Sequence, residues 1–296
     1  MSAGSAALVV AALGALLAGC AASRQPTAAP NGVTAAPTLA DIPATPSVTV
    51  PTAVPTDLSA LRLPIEQYVL TPAEDTQLNH AMWVLAAACA QHHGFDFQAP
   101  PALTHQRSGS EVPRRYGPAD PATAKYGYHS PPVAEQDKMP PDVLASLPDA
   151  ERATVYSCRK DAETQLTGGA AFAAASIGDQ INSASYKKAT ADDRVKAAFA
   201  AWSGCMKTAG YDYATPIDAY NDPHWQGSPT ADQRELATVQ ADIDCKQRTN
   251  LIGIWYSVDA AYQQQQIQAH QAELDRDRTN EQHQLGEARK VLGPKS

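Results

Sequence analysis

The sequence lacks the short motifs by which many catalytic and cofactor sites are recognised. No CxxC, CxxCH, HExxH, GxSxG or glycine-rich phosphate loop occurs among its 296 residues. These absences exclude a thioredoxin-like redox site, haem attached through CxxCH, and common peptidase, hydrolase and nucleotide sites. We therefore expect no cofactor and no metal, and no enzymatic reaction is specified.

Positive charge is also scarce, since 23 Lys and Arg face 31 Asp and Glu, for a formal net charge of −8. An acidic surface argues against binding to nucleic acid and against electrostatic adhesion to anionic lipid. Any contact with a membrane is therefore expected to come from an attached lipid.

The first nineteen residues carry no charged side chain and contain an apolar run that is too short to span a bilayer. We interpret residues 1–19 as a secretory signal peptide. The following LAGC, which ends at Cys20, resembles the lipobox of bacterial lipoproteins, although no Lys or Arg precedes the apolar run. The resemblance implies cleavage before Cys20 and a lipid on its thiol, placing the protein on the extracytoplasmic face of the cell membrane. The alternative is an ordinary signal peptide with a chance cysteine.

A segment dominated by three residue types follows. Residues 21–57 hold seven Pro, seven Thr and nine Ala. Such a composition does not build a core and favours an extended, polyproline-like chain. We interpret residues 20–57 as a lipid anchor and a tether, with a reach on the order of 100 Å at about 3.1 Å per residue.

One sequence motif, C-x4-G-[FY]-D-[FY], occurs twice in the remaining chain, as CAQHHGFDF from Cys89 and as CMKTAGYDY from Cys205. Each copy follows an apolar stripe with helical spacing and has a glycine five residues after the cysteine, where a helix favours a left-handed residue. Thr71 with Glu74 predicts a capping box at the start of the first helix, and Thr190 and Asp193 are the expected caps of the second.

Each copy is followed by another predicted helix with a cysteine, Cys158 or Cys245. Outside the cytoplasm four cysteines favour two disulfides, for which three pairings are possible, with one bridge and two free thiols as the alternative. The most economical pairing staples each unit, Cys89 to Cys158 and Cys205 to Cys245. This predicts a first unit at 58–168, a connector at 169–189 and a second unit at 190–262.

An irregular stretch and a polar tail complete the chain. Residues 98–147 are rich in Pro, Gly and Tyr and are the best place in the chain for a binding surface, although the favoured interpretation is a loop held onto the helices by its tyrosines. The predicted binding residues are Arg114, Arg115, Tyr116, Tyr126 and Tyr128. Apolar residues keep helical spacing from about 231 to 292. We interpret 263–296 as a solvated or frayed tail, with a partner-binding helix as the alternative.

Two chemical alternatives remain at the repeated motif, a metal site and a pair of catalytic carboxylates. Cys89, His92 and His93 have metal-ligand spacing on a helix, but the second copy keeps only the cysteine, which favours a disulfide. Asp96 and Asp212 lie between aromatic residues in the two copies and are the only carboxylates we consider for a cell-wall-directed hydrolase.

Residues 195–262, including WSGCMKTAGYDYATPIDA and DIDCKQRTNLIGIWY, resemble uncharacterised secreted or lipid-anchored proteins of high-GC Gram-positive bacteria. The resemblance implies an extracytoplasmic location and disulfides, and no activity. We therefore predict an all-α fold of two disulfide-stapled helical-hairpin units, with a long irregular loop and a long C-terminal helix. The expected role is a non-catalytic binding or structural module whose partner is an envelope protein or cell-wall glycan.

Overall fold

The protein is all-α, as predicted, in a computed structural model of the chain. The residues that the structure describes are 38–42, 44–50, 58, 61–102, 115–130, 143–169 and 176–293. No strand occurs within these ranges. The predicted signal peptide, Cys20 and most of the predicted tether lie outside them.

Nine α-helices and two 3-10 turns lie within the described residues. The turns cover Pro64–Tyr68 and Pro121–Tyr126. The helices are α1 (Pro72–His92), α2 (Asp149–Thr167), α3 (Ile177–Ala191), α4 (Asp193–Thr208), α5 (Pro216–Tyr220), α6 (Pro223–Gln226), α7 (Gln233–Arg248), α8 (Leu251–Ala269) and α9 (Gln271–Leu292).

Local sequence signals explain most helix ends. Thr71 and Glu74 form the predicted capping box at the start of α1, and Gly94 has a φ of 84° just after its end. At α4 both predicted caps are wrong, because Asp192 caps this helix, while Thr190 lies in the last turn of α3 and Asp193 is the first residue of α4. The Thr190 hydroxyl donates to the carbonyl of Tyr186 one turn earlier, so it is not free to cap.

The first unit is closed by the disulfide between Cys89 of α1 and Cys158 of α2, whose Cα atoms are 5.6 Å apart. Its buried centre around the bridge consists of three alanines and three larger apolar side chains: Ala86, Ala87, Ala90, Phe97, Leu144 and Val155. Helix α9 packs beside α1 and α2 through Leu285 and Ala288. The C-terminal part of α9 is therefore the third helix of the first unit, while Leu274 near its start lies in the larger core.

The second unit contains α3, α4, α7 and α8 around the larger core. The disulfide between Cys205 of α4 and Cys245 of α7 lies at its edge, with a Cα separation of 5.7 Å. Fully buried aromatic and aliphatic side chains fill this core: Trp202, Trp255, Ile177, Ile181, Ile243 and Leu251. Both disulfides have the predicted pairing.

The C-terminal half differs from the sequence-based expectation at two points. The helix predicted from 231 to 292 is interrupted at Asn250, whose φ is 52°, and again at His270. Asn is one of the few residues that accept a left-handed backbone at low cost, so it separates α7 from α8. In addition, 169–189, expected as a connector, includes most of α3, which supplies Ile177 and Ile181 to the core.

Candidate functional site

The tyrosine-containing loop at 115–130 lies against α7 and α8, and three buried carboxylates hold it there. These are Asp259 of α8 and Asp242 and Glu235 of α7, each at most 1% exposed. A buried carboxylate is costly unless it is paired and hydrogen-bonded, so the partners of each one identify what the arrangement does.

Asp259 binds the first residues of the loop. Arg115 donates from Nε to Oδ2 at 2.5 Å and from Nη2 to Oδ1 at 3.1 Å, and the Tyr116 hydroxyl donates to Oδ2 at 2.8 Å. Burial raises the pKa of Tyr116 well above its ordinary value, and the Asp259 carboxylate adds to the rise. Tyr116 is therefore a neutral hydrogen-bond donor.

Arg115 also connects the loop to α3. Its Nη1 donates to Asn182 Oδ1 at 2.8 Å and its Nη2 donates to the Asn182 carbonyl at 2.7 Å. The guanidinium lies over the ring of Tyr186, 4.9 Å from its centroid. Because its donors and its face are engaged inside the protein, Arg115 fixes the loop between α3 and α8.

Asp242 and Lys246 form a buried ion pair one turn apart on α7. Lys246 Nζ is 2.9 Å from Asp242 Oδ2 and also donates to the Pro118 carbonyl at 2.7 Å, while Trp202 Nε1 donates to Asp242 Oδ1 at 2.9 Å. Burial raises the pKa of Asp242, and the Lys246 charge opposes that rise. The pair joins the loop to α7 and α4.

Glu235 holds the end of the loop. Its Oε1 accepts from the Tyr128 backbone N–H at 2.7 Å, and its Oε2 lies 3.2 Å from His129 Nε2. Gly127, with a φ of 63°, packs so close to this carboxylate that a Cβ would collide with it.

The predicted binding residues therefore face inward to a large extent. Tyr116 is 2% exposed and Tyr128 is 6% exposed, and the Tyr128 ring stacks on Trp225 with centroids 5.1 Å apart. Tyr126 is partly exposed beside Lys125, and Arg114 lies outside the described residues. The described part of the loop matches the favoured interpretation, in which tyrosines hold it onto the helices.

The two aspartates considered for hydrolysis lie on the surface. Asp96 is exposed and accepts a hydrogen bond from Gln98 Nε2 at 2.9 Å. Asp212 is 88% exposed and lies 3.3 Å from Lys207 Nζ. Neither is enclosed in the kind of cleft that usually surrounds catalytic carboxylates.

One group in the described residues has the spacing of metal ligands, formed by Cys89, Cys158 and His93, whose ligand atoms lie within 4.8 Å of one another. The two sulfur atoms are bonded to each other. Because metals bind cysteine as the thiolate, this group does not offer its sulfur ligands to a metal while the disulfide is intact.

A second docked segment was missed by the sequence analysis. Residues 38–42 and 44–50, which we call the strap, belong to the predicted tether but contact α3, α4, α8 and His270. A pocket of about 240 Å³ lies beside the strap, lined by Leu39, Ala40, Asp41, Ser185, Lys188 and Tyr262. Composition gave no signal of this contact, because the strap is bound mainly through its backbone.

In the part of the chain that the structure describes, helix length and hydropathy nowhere reach the values needed to span a membrane. Comparison with protein-family models, curated proteins and solved structures finds no match to this chain.

Proposed function

We propose that this protein is a lipid-anchored, extracytoplasmic module of the cell envelope with a binding or structural role and no catalytic activity. The observation that carries the proposal is the pair of disulfides, Cys89–Cys158 and Cys205–Cys245. Disulfides persist in oxidising compartments and are rare in the cytoplasm. They agree with the apolar N-terminus and with the lipobox-like LAGC, which make Cys20 the proposed lipidation site.

The internal use of charged groups supports a structural rather than a catalytic role. Asp259 and Glu235 are occupied by residues of the loop at 115–130. Asp242 is occupied by Lys246, which also donates to the loop carbonyl of Pro118. A catalytic acid or base has to reach a substrate, whereas these carboxylates are closed off by the loop that they hold.

The docked strap also shortens the proposed tether. About 17 residues separate Cys20 from Thr38, and an extended chain spans at most about 3.6 Å per residue. The helical units are therefore expected within about 60 Å of the membrane surface while the strap is docked. Release of the strap would extend this limit.

Membrane attachment through Cys20 is tested by fractionating cells that express Cys20→Ser. We expect this variant in the medium or in the soluble fraction, because it has no thiol to accept a diacylglyceryl group. The matched control is the Cys205→Ser/Cys245→Ser double variant, which loses two cysteines and keeps Cys20, and should remain in the membrane. Retention of Cys20→Ser in the membrane would contradict lipid anchoring.

The non-catalytic part of the proposal is tested with purified protein and isolated cell walls. We expect no release of soluble glycan, and no difference between the wild type and Asp96→Asn or Asp212→Asn. Release that either substitution abolishes would instead support the hydrolase.

A further inference from the structure

The strap is bound through every second backbone carbonyl. The carbonyls of residues 40, 42, 44 and 46 each accept a hydrogen bond from a side chain of the helices. The donors are, in that order, Gln266 Nε2 at 2.9 Å, Lys188 Nζ at 3.4 Å, Gln265 Nε2 at 3.1 Å and Arg194 Nη1 at 2.9 Å. In an extended chain alternate residues face the same way, and the four acceptors keep this spacing of two across the bend at residue 44.

Ala40 is bound on both of its backbone groups. Its N–H donates to His270 Nε2 at 2.8 Å, while its carbonyl accepts from Gln266. The second ring nitrogen of His270 contacts the Glu273 carboxylate, which orients the imidazole with Nε2 as the acceptor. Ala40 is thus held as it would be by a neighbouring strand.

The side chains of the strap contribute only a few apolar contacts. Pro46 is buried, and Leu39 and Val48 pack against the larger core. The side chains of Asp41, Thr45 and Ser47 are exposed. Recognition therefore depends on an extended backbone and on small apolar residues at a few positions.

We propose that the surface formed by Lys188, Arg194, Gln265, Gln266 and His270, which we call the strap groove, is a binding site for an extended Pro-, Ala- and Thr-rich peptide. Residues 38–42 and 44–50 fill it within the chain, and the same segment of a second copy fills it when the chain's own strap is released. Main-chain hydrogen bonds provide the affinity, as in strand addition to a sheet edge, but helical side chains supply the donors.

A second copy is the partner because it carries the one peptide that the structure shows to fit. Exchange of straps preserves each of these hydrogen bonds, so the two arrangements differ mainly in effective concentration. A strap joined through about ten residues acts at an effective concentration on the order of millimolar. The strap of the same chain should therefore exclude the second copy until it is disabled.

The first test measures binding of a fluorescent peptide covering residues 36–50 by anisotropy, with the full chain carrying Cys20→Ser. With an intact strap we expect negligible binding at 100 μM peptide. Pro46→Asp/Val48→Asp should release the strap and tighten peptide binding at least about tenfold, because the competing segment is gone. No binding to this released variant at about 1 mM would overturn the proposal.

The groove is tested in the released variant by adding Lys188→Ala/Gln266→Ala, which removes two donors and should weaken peptide binding about tenfold or more. Gln264→Ala is the matched control, since Gln264 is exposed on the same helix and should leave binding unchanged. Binding that is insensitive to the groove substitutions would overturn the proposal. Unchanged helical circular dichroism and intact disulfides establish that each variant is folded.

The second test mixes two full chains. One carries Pro46→Asp/Val48→Asp with an intact groove, and the other carries Lys188→Ala/Gln266→Ala with an intact strap. We expect a heterodimer in this mixture and monomers in each separate sample, measured by analytical ultracentrifugation. If the mixture contained only monomers, the proposed transfer of a strap between copies would be contradicted. Docking of the strap within one chain is measured separately, as slow hydrogen exchange at the Ala40 amide of the wild type. The inference does not depend on the lipid anchor.

Discussion

The two disulfide-stapled units share the motif C-x4-G-[FY]-D-[FY], and the geometry of their bridges is nearly the same. Their Cα separations across the bridges are 5.6 Å and 5.7 Å. The first unit packs three alanines and three larger apolar side chains around its bridge, whereas the second buries three tryptophans and several charged groups. A repeated staple has therefore been combined with two kinds of interior, and the contribution of each interior can be measured separately.

The largest difference between the units is expected in the free energy of unfolding that is lost when one ion pair in each unit is broken. Asp242→Ala leaves Lys246 buried without its carboxylate and should lower the free energy of unfolding by about 3–5 kcal/mol. In the first unit, Asp149 pairs with Arg152 but is 94% exposed. Asp149→Ala should change stability by less than about 1 kcal/mol. Equal losses in chemical denaturation would remove the distinction between the two interiors.

Removal of each bridge compares the two staples directly. The loops span 69 and 40 residues, so the chain-entropy model gives about 4 kcal/mol for each. In Cys89→Ala/Cys158→Ala we expect fast amide exchange in α1 and α2 while α7 and α8 stay protected, because the first unit has the smaller core. The Cys205→Ala/Cys245→Ala variant should lower global stability without selective opening of α4. The reverse pattern would contradict this assignment.

The role of α9 as the third helix of the first unit is tested at Leu285, which is 3% exposed. Leu285→Ala should lower the free energy of unfolding by about 2–3 kcal/mol, because it leaves a cavity against α1. Gln282→Ala, at an exposed position on the same helix, is the control. If the two variants were equally stable, the C-terminal helix would be the solvated tail suggested by its polar sequence.

A smaller, pH-dependent effect is expected in the second unit at Asp192. Hydrogen bonds from Arg194 lower its pKa from 3.8 to about 2, against the opposing effect of burial. A carboxylate with a lowered pKa in the fold stabilises it above about pH 4, and this stabilisation is lost as the pH falls towards 2. Asp192→Asn should therefore reduce stability at pH 7 and flatten its decrease between pH 4 and pH 2. An unchanged slope in acid denaturation would contradict this prediction.

The repeat made the staples predictable from sequence. Cysteine, glycine and helical spacing are local signals, and comparing the two copies separated the shared cysteine from the unshared His92 and His93. The pairing followed because each unit supplies two helices with one cysteine each. The same local reasoning found the capping box at Thr71.

The buried charges and the strap could not be found in this way. Arg115 and Asp259 are 144 residues apart, and nothing local to either marks the other as its partner. Asp242 and Lys246 have the spacing of an ordinary surface pair on a helix, and only the tertiary structure shows that they are buried. The strap is recognised by its backbone, which every sequence shares.

The central claim is that two oxidised helical units are held outside the cytoplasm by a lipid on Cys20. Intact mass spectrometry of the protein extracted from membranes of its own cells tests this claim most directly. We predict a chain that begins at Cys20, carries a diacylglyceryl group and lacks the four hydrogens lost in forming two disulfides. A chain with an unmodified Cys20, or with free thiols at Cys89, Cys158, Cys205 or Cys245, would contradict it.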